Sequence, residues 1–193
     1  MSFRPEQQRA LDYARRRGTD APVEAIRERV AATFATLDAL VETIAPEVAR
    51  EQRATSAWSI QEVVDHLVES DRPAIEQLAQ LLAGSDVGEP IPASLQSAAP
   101  LAKDWTSLRA ELRGIHRDLV ALLAAATGDE PTATAPVQMV VKCAGADGSL
   151  EPMSWLERFD WKAFVILLHA HNREHIAQIQ RILAAPAPTI ARC

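Results

Sequence analysis

The chain has 193 residues, 48% of them hydrophobic and 24% charged, with a net charge of −6. That length can bury a sizeable core in one domain, and the balance excludes wholesale disorder. The negative charge repels phosphate backbones and the lone basic run, Arg15-Arg16-Arg17, reads as a solvated helix end, so nucleic acid is excluded as a partner. No stretch reaches the roughly 18 apolar residues of a membrane span. The opening Met1-Ser2-Phe3-Arg4-Pro5-Glu6 carries no apolar leader, so the expectation is a cytoplasmic protein with no membrane partner. In that compartment Cys143 and Cys193 stay reduced.

In chain order, residues 1–20 form an N-terminal extension with room for one short helix. The first long helix places Val23, Ile26, Val30, Phe34, Leu37, Val41 and Ile44 at steps of three and four, and stops before Pro46. After a link around 46–58, Ser59-Ile60-Gln61-Glu62 spells a capping box, in which Ser and Glu each satisfy an orphan amide of a first turn. The helix it opens carries Val63, His66, Leu67, Ile75, Leu78 and Leu82, with a kink expected at Pro73, and ends at Gly84. Three prolines, Pro90, Pro92 and Pro100, in the stretch that starts at Gly84 predict an extended crossover. The third helix shows Leu101, Trp105, Leu108, Leu112, Ile115, Leu119 and Leu122, and stops near Gly128.

Residues 129–153 contain the run Val137 to Lys142 and then Gly145-Ala146-Asp147-Gly148, which predicts a small hairpin inserted before the last helix. Ser154-Trp155-Leu156-Glu157 reads as a second capping box, with Asp160 as an alternative start. The fourth helix then carries Phe164, Leu168, His171, His175, Ile179 and Ile182 toward Pro186, and residues 186–193 make an irregular tail. The fold expected is all-α: a four-helix bundle in a single domain, 1–193, with long crossover connections.

Of five histidines, His171 and His175 are the informative pair. At i and i+4 their rings leave one helix face from successive turns and can converge on one ion. Alone, such a pair fits two packed or surface histidines better than it fits a metal site. Here it continues the stripe of Phe164 and Leu168, and unpartnered imidazoles inside a bundle are unfavourable. His66, on the apolar face of the second helix, offers a third ligand from a facing element. His169, about 200° round the helix from His171, reads as a surface or interface residue, and His116 as a boundary histidine.

Glu62, one turn before His66, has the capping box as its first role and a hydrogen-bond acceptor or general base as its second. Gln178, one turn after His175, either orients a ligand or packs at the core edge. Asp65 and Glu174 point elsewhere on their helices and read as solvated. His171-Asn172-Arg173-Glu174-His175 also matches the H-x-x-E-H of inverted zinc peptidases. That chemistry needs a further carboxylate downstream, and the 18 residues after His175 contain no Asp or Glu.

Trp58-Ser59-Ile60-Gln61-Glu62-Val63-Val64-Asp65-His66-Leu67 resembles the W-S-x-x-E-x-x-x-H-L opening of the DinB-like (YfiT-type) superfamily, and His171-x-x-x-His175-x-x-Gln178-Ile179 resembles its C-terminal signature. The two stand in the expected order within roughly residues 20–185. The resemblance implies a four-helix bundle of unusual connectivity, one divalent metal on His66, His171 and His175, and a homodimer. Members include bacillithiol- and mycothiol-dependent S-transferases, a mycothiol-dependent isomerase and helical domains of ergothioneine-pathway enzymes. The N-terminal extension and the 129–153 insertion depart from the pattern, so substrate class does not transfer. Three imidazoles leave a coordination position for water or substrate, with zinc or nickel as the first candidates for the ion. Three readings follow: a thiol S-transferase taking a low-molecular-weight thiol and a small electrophile, a metal-dependent hydrolase, or a non-catalytic protein with a structural metal.

Overall fold

The structure, a computed structural model, describes residues 3–53, 58–144 and 149–186. Its elements are α1 (Pro5–Ala14), α2 (Val23–Glu42), α3 (Pro46–Arg50), α4 (Ile60–Leu82), α5 (Trp105–Ala125), β1 (Ala135–Ala144), β2 (Leu150–Phe159) and α6 (Trp161–Ala184). A π-helical turn, Arg15–Thr19, follows α1, and a 3-10 turn, Pro100–Ala102, precedes α5. The Gly145–Gly148 turn, Cys193 and the tail beyond Pro186 lie outside the described residues.

The long helices α2, α4, α5 and α6 make the bundle. α2 packs on α5 and α6, and α4 packs on the same two, so α2 and α4 lie across a diagonal. Their stripes meet in a core that includes Ile26, Phe34, Leu37, Leu67, Leu78 and Leu112. Each such side chain contributes about 1.5–3 kcal/mol relative to exposure. Leu101 falls outside this core: it sits in the 3-10 turn and is 47% exposed.

Local chemistry sets the helix ends. The Glu62 carboxylate accepts from the Ser59 backbone N–H at 2.7 Å and Ser59 Oγ accepts from the Glu62 N–H at 3.3 Å, so the capping box forms as read. α4 then runs on through Pro73 to Leu82. The second apparent box does not form. Ser154-Trp155-Leu156-Glu157 lies within β2, where Ser154 pairs with Val140 and Trp155 with Met139, and the helix starts instead at Asp160, whose carboxylate accepts from the Ala163 N–H at 2.9 Å. A Ser and a Glu three apart suit a strand as readily as a helix start, and pairing with β1 decides between them.

Two arginines close helix C-termini, where carbonyls lack intrahelical donors. Arg27 donates to the carbonyls of Leu123, Ala124 and Ala126 at the end of α5. Arg53 donates to those of Ile182, Leu183 and Ala185 at the end of α6. The π-helical turn presses on the start of α6 so closely that a Cβ on Gly18 would come within 2.5 Å of the Ala163 Cα. The hairpin runs antiparallel and turns Ala135, Met139 and Cys143 inward, and α1 rests on β1 and α6. No helix among the described residues is long and apolar enough to cross a membrane.

Candidate metal centre

α4 and α6 bring His66, His171 and His175 together at one end of a cavity. The His171 Nε2 lies 3.1 Å from the His66 Nε2 and 3.0 Å from the His175 Nε2. The rings stand edge to face, with interplanar angles of 79°, 62° and 86°. Among the described residues no other His, Cys, Asp or Glu joins this cluster.

The far sides of two of the rings explain why their Nε2 atoms face the third. His66 Nδ1 lies 2.7 Å from the Leu95 carbonyl, which can only accept, so Nδ1 carries the proton and Nε2 keeps a lone pair. His175 Nδ1 donates to Gln178 Oε1 at 2.8 Å, with the same consequence. Two lone pairs thus aim at the space that His171 Nε2 also faces, and one N–H on His171 cannot serve both well. Tetrahedral coordination with bonds of about 2.0–2.1 Å would set nitrogens about 3.3 Å apart, close to the separations seen. The donor set fits one divalent ion.

Burial keeps the three rings neutral. Desolvation lowers the pKa of all three: His171 to about 3, aided by His175 and His66, and His175 to about 4, aided by His66. For His66 desolvation also prevails, against the Leu95 hydrogen bond and the nearby Asp65 charge. Neutral imidazole is the metal-binding form.

The crossover between α4 and α5 is fastened over this site by three successive residues. The Leu95 carbonyl reaches His66, the Gln96 amide donates to the Glu62 carbonyl at 3.1 Å, and the Ser97 N–H and Oγ donate to the Asp65 carboxylate at 2.8 Å each. Asp65 is therefore not solvated: it is fully buried and paired with Lys103 Nζ at 2.8 Å. Ser94, immediately before, takes a left-handed backbone conformation with φ +57°, uncommon outside glycine.

The other candidates divide. Gln178 accepts from His175 Nδ1, and Glu62 is engaged in the helix cap. Glu174 is exposed and lies 3.7 Å from Arg181. His169 is not a surface residue: it is 3% exposed, with Nδ1 2.9 Å from Thr33 Oγ1. Nor is His116 a boundary residue: it is 2% exposed, stacked on Phe34 at 4.1 Å, with Nδ1 2.8 Å from Asp38. The most buried stripe of α6 runs through Val165, His169, Asn172, Ile176 and Ile179, so His171 and His175 border the cavity rather than the bundle centre.

That cavity measures about 530 Å³ and is walled by α4, the crossover, β1 and α6. Ile91, Val137, Met139, Phe164, Leu167 and Leu168 make it largely apolar. Among the described residues no Lys or Arg lines it, and its acidic members are Asp71 and Glu174. The inserted hairpin thus builds one wall.

The sequence reading missed Asp71. It is fully buried, accepts from Asn172 Nδ2 at 2.9 Å, and lies 3.9 Å from both His171 Nδ1 and His116 Nε2. Burial pushes its carboxyl up to about 6 against the Asn172, His116 and Ser70 contacts. The signal was present: Asp71 stands on the stripe of Leu67, Ala74, Leu78 and Leu81, where an acid is out of place.

Residues 29–179 match the DinB superfamily. The chain belongs to that superfamily. No curated protein matches it. In fold this DinB chain is similar to YfiT from Bacillus subtilis, described as a probable metal-dependent hydrolase with an unusual four-helix bundle topology; the TM-score is 0.62 at 18% identity, covering 84% of this chain and 86% of that one. It is also similar to a mycothiol-dependent maleylpyruvate isomerase, with a TM-score of 0.56 at 12% identity over 88% of this chain. It spans 63% of that longer protein.

Proposed function

We propose that this DinB protein is a metal-dependent enzyme that holds one divalent ion, zinc or nickel, on His66, His171 and His175 and transfers a small uncharged thiol to an apolar electrophile. The observation that carries the reading is the convergence of three Nε2 atoms on the wall of a 530 Å³ cavity, with no fourth protein ligand among the described residues. A structural metal is usually closed by four protein ligands; three ligands beside open volume suit catalysis. A bound ion supplies Lewis acidity, which lowers the pKa of a thiol or a water toward neutrality.

The chain's own residues do the rest. The Leu95 carbonyl and Gln178 hold two of the rings in the tautomer that presents Nε2. Phe164, Met139 and Leu168 bind the apolar body of the electrophile and exclude water from it. Without a lining cation, and with Glu174 on the wall, the cavity disfavours anionic thiols. In the transfer the thiol S–H breaks and its proton leaves to solvent, so no protein base is needed, and the new S–C bond forms as the electrophile's leaving group departs with its bonding electrons. Hydrolysis is the second reading, and Glu174 is the observation that favours it, as a carboxylate on the cavity wall one residue from His175.

Cobalt substitution tests the proposal. 2-Mercaptoethanol titrated into cobalt-loaded protein should produce a sulfur-to-metal charge-transfer band, dianionic mercaptosuccinate should need far higher concentration, and His171→Ala should give neither response. A spectrum that no thiol perturbs, together with metal-dependent ester cleavage that is lost in Glu174→Gln, would replace transfer with hydrolysis.

A further inference from the structure

A polar layer crosses the bundle core behind the three histidines. Each long helix gives it a residue where an apolar one would fit: Thr33 from α2, Asp71 from α4, His116 from α5, and His169 with Asn172 from α6, all buried. Several polar atoms in this layer are shut from solvent without a hydrogen-bond partner among the described residues, including Asp71 Oδ1, His116 Nε2 and Asn172 Oδ1. Unpaired buried acceptors are costly, about 1–3 kcal/mol each and more when charged.

Asp71 Oδ1 is the informative one. The carboxylate is anchored through its other oxygen by Asn172, and Oδ1 is directed at His171 Nδ1 across 3.9 Å. His171 is also the odd ligand out: His66 and His175 each place Nδ1 on an acceptor within 2.8 Å, whereas His171 Nδ1 has none at that range. An acceptor lacking a donor and a ring nitrogen lacking an acceptor therefore face each other.

We infer that Asp71 is the positioning residue for His171, accepting its Nδ1–H so that Nε2 presents a lone pair to the ion, and that the pair closes to a hydrogen bond when the ion is held. This rests on the metal reading above. Closing to a charge-assisted bond of about 2.8 Å takes a shift of about 1 Å. Three neutral imidazoles bring no charge to a divalent cation, so a buried carboxylate behind one of them also offsets the ion's charge. Behind Asp71, His116 and Asp38 extend the layer on the side away from His171, with His116 Nδ1 2.8 Å from Asp38.

Nitrogen-15 NMR of histidine-labelled, zinc-loaded protein tests this together with zinc affinity measured by chelator competition. In the wild type His171 should bind zinc through Nε2 and show a slowly exchanging Nδ1 proton. Asp71→Ala should lose that protected proton and weaken zinc binding about 10- to 100-fold. Asp71→Asn, which keeps an acceptor but not the charge, should fall between, and Asp38→Asn should lose less than either. Zinc bound by His171 through Nδ1, an unprotected wild-type proton, or equal loss in Asp38→Asn and Asp71→Ala would each overturn the assignment. Wild-type protein that takes up zinc while Asp71→Ala matches its affinity and spectrum would sink this inference alone. Wild-type protein that takes up no zinc would sink the metal reading and the inference with it.

Discussion

His66, His171 and His175 differ from His116 and His169 in what lies beyond the second ring nitrogen. All five have polar surroundings on the Nδ1 side: the Leu95 carbonyl, Gln178 and Asp71 for the first group, Asp38 and Thr33 for the second. In the first group the three Nε2 atoms meet at an open cavity. In the second, neither Nε2 has a hydrogen-bond partner among the described residues and both end inside the bundle, that of His116 3.9 Å from Asp71. The same side chain, in one helical bundle, is a prospective ligand where the free nitrogens converge and an interior polar residue where they do not. Burial alone does not make a histidine a ligand; convergence does.

The largest effect that can break this comparison is metal-linked stability. Zinc at 1,000 times its Kd should stabilise the wild type by about 4 kcal/mol and His175→Ala by almost nothing, read from thermal melts with zinc and with chelator. The increment should persist at about pH 5 and fade only toward about pH 3–4, where the buried imidazoles of His175 and His171 take up protons. Without metal the pH dependence has its own sign. Burial holds His66, His169, His171 and His175 below the ordinary 6.5, the last three at about 4, 3 and 4. Below pH 6.5 the unfolded chain therefore binds more protons than the folded one, and stability falls as the pH drops toward 4. Asp71, raised to about 6, acts in the opposite direction, but as one group against four.

Next in size is an interior histidine. His169→Ala removes a buried ring and strands Thr33 Oγ1, so it should cost about 2–3 kcal/mol of metal-free stability in denaturant melts while leaving zinc binding intact. A variant of normal stability that fails to bind zinc would move His169 into the first group. Gln178→Ala removes the acceptor that holds His175 and should weaken zinc about tenfold with little change in the metal-free melt. Smallest is Glu62→Ala, which opens the α4 cap for about 0.5–2 kcal/mol and leaves metal content unchanged. Loss of activity beyond that lost stability would return Glu62 to the list of candidate bases.

The same contrast explains what was readable in the sequence. Helical spacing and the Ser59–Glu62 cap are local, and they placed His66, His171 and His175 on facing helices. The errors arose where distant chain decides. Ser154–Glu157 pairs with β1, which no local pattern reports. His169 was read as a surface or interface residue because it lies opposite His171, yet α6 packs on both α2 and α4, so the side away from the cavity is covered by Thr33. Asp65 was read as solvated because the crossover that buries it, through Ser97 and Lys103, carries no periodic signal. Asp71 was readable as an acid on an apolar stripe, but its role depends on Asn172 and His171 meeting it from another helix.

The most direct test of convergence is elemental analysis of protein prepared without an affinity metal, reconstituted with zinc and dialysed. The account predicts one equivalent in the wild type and in His169→Ala, and none in His66→Ala, His171→Ala or His175→Ala. Equal retention in all five proteins, or equal loss in His169→Ala, would contradict it.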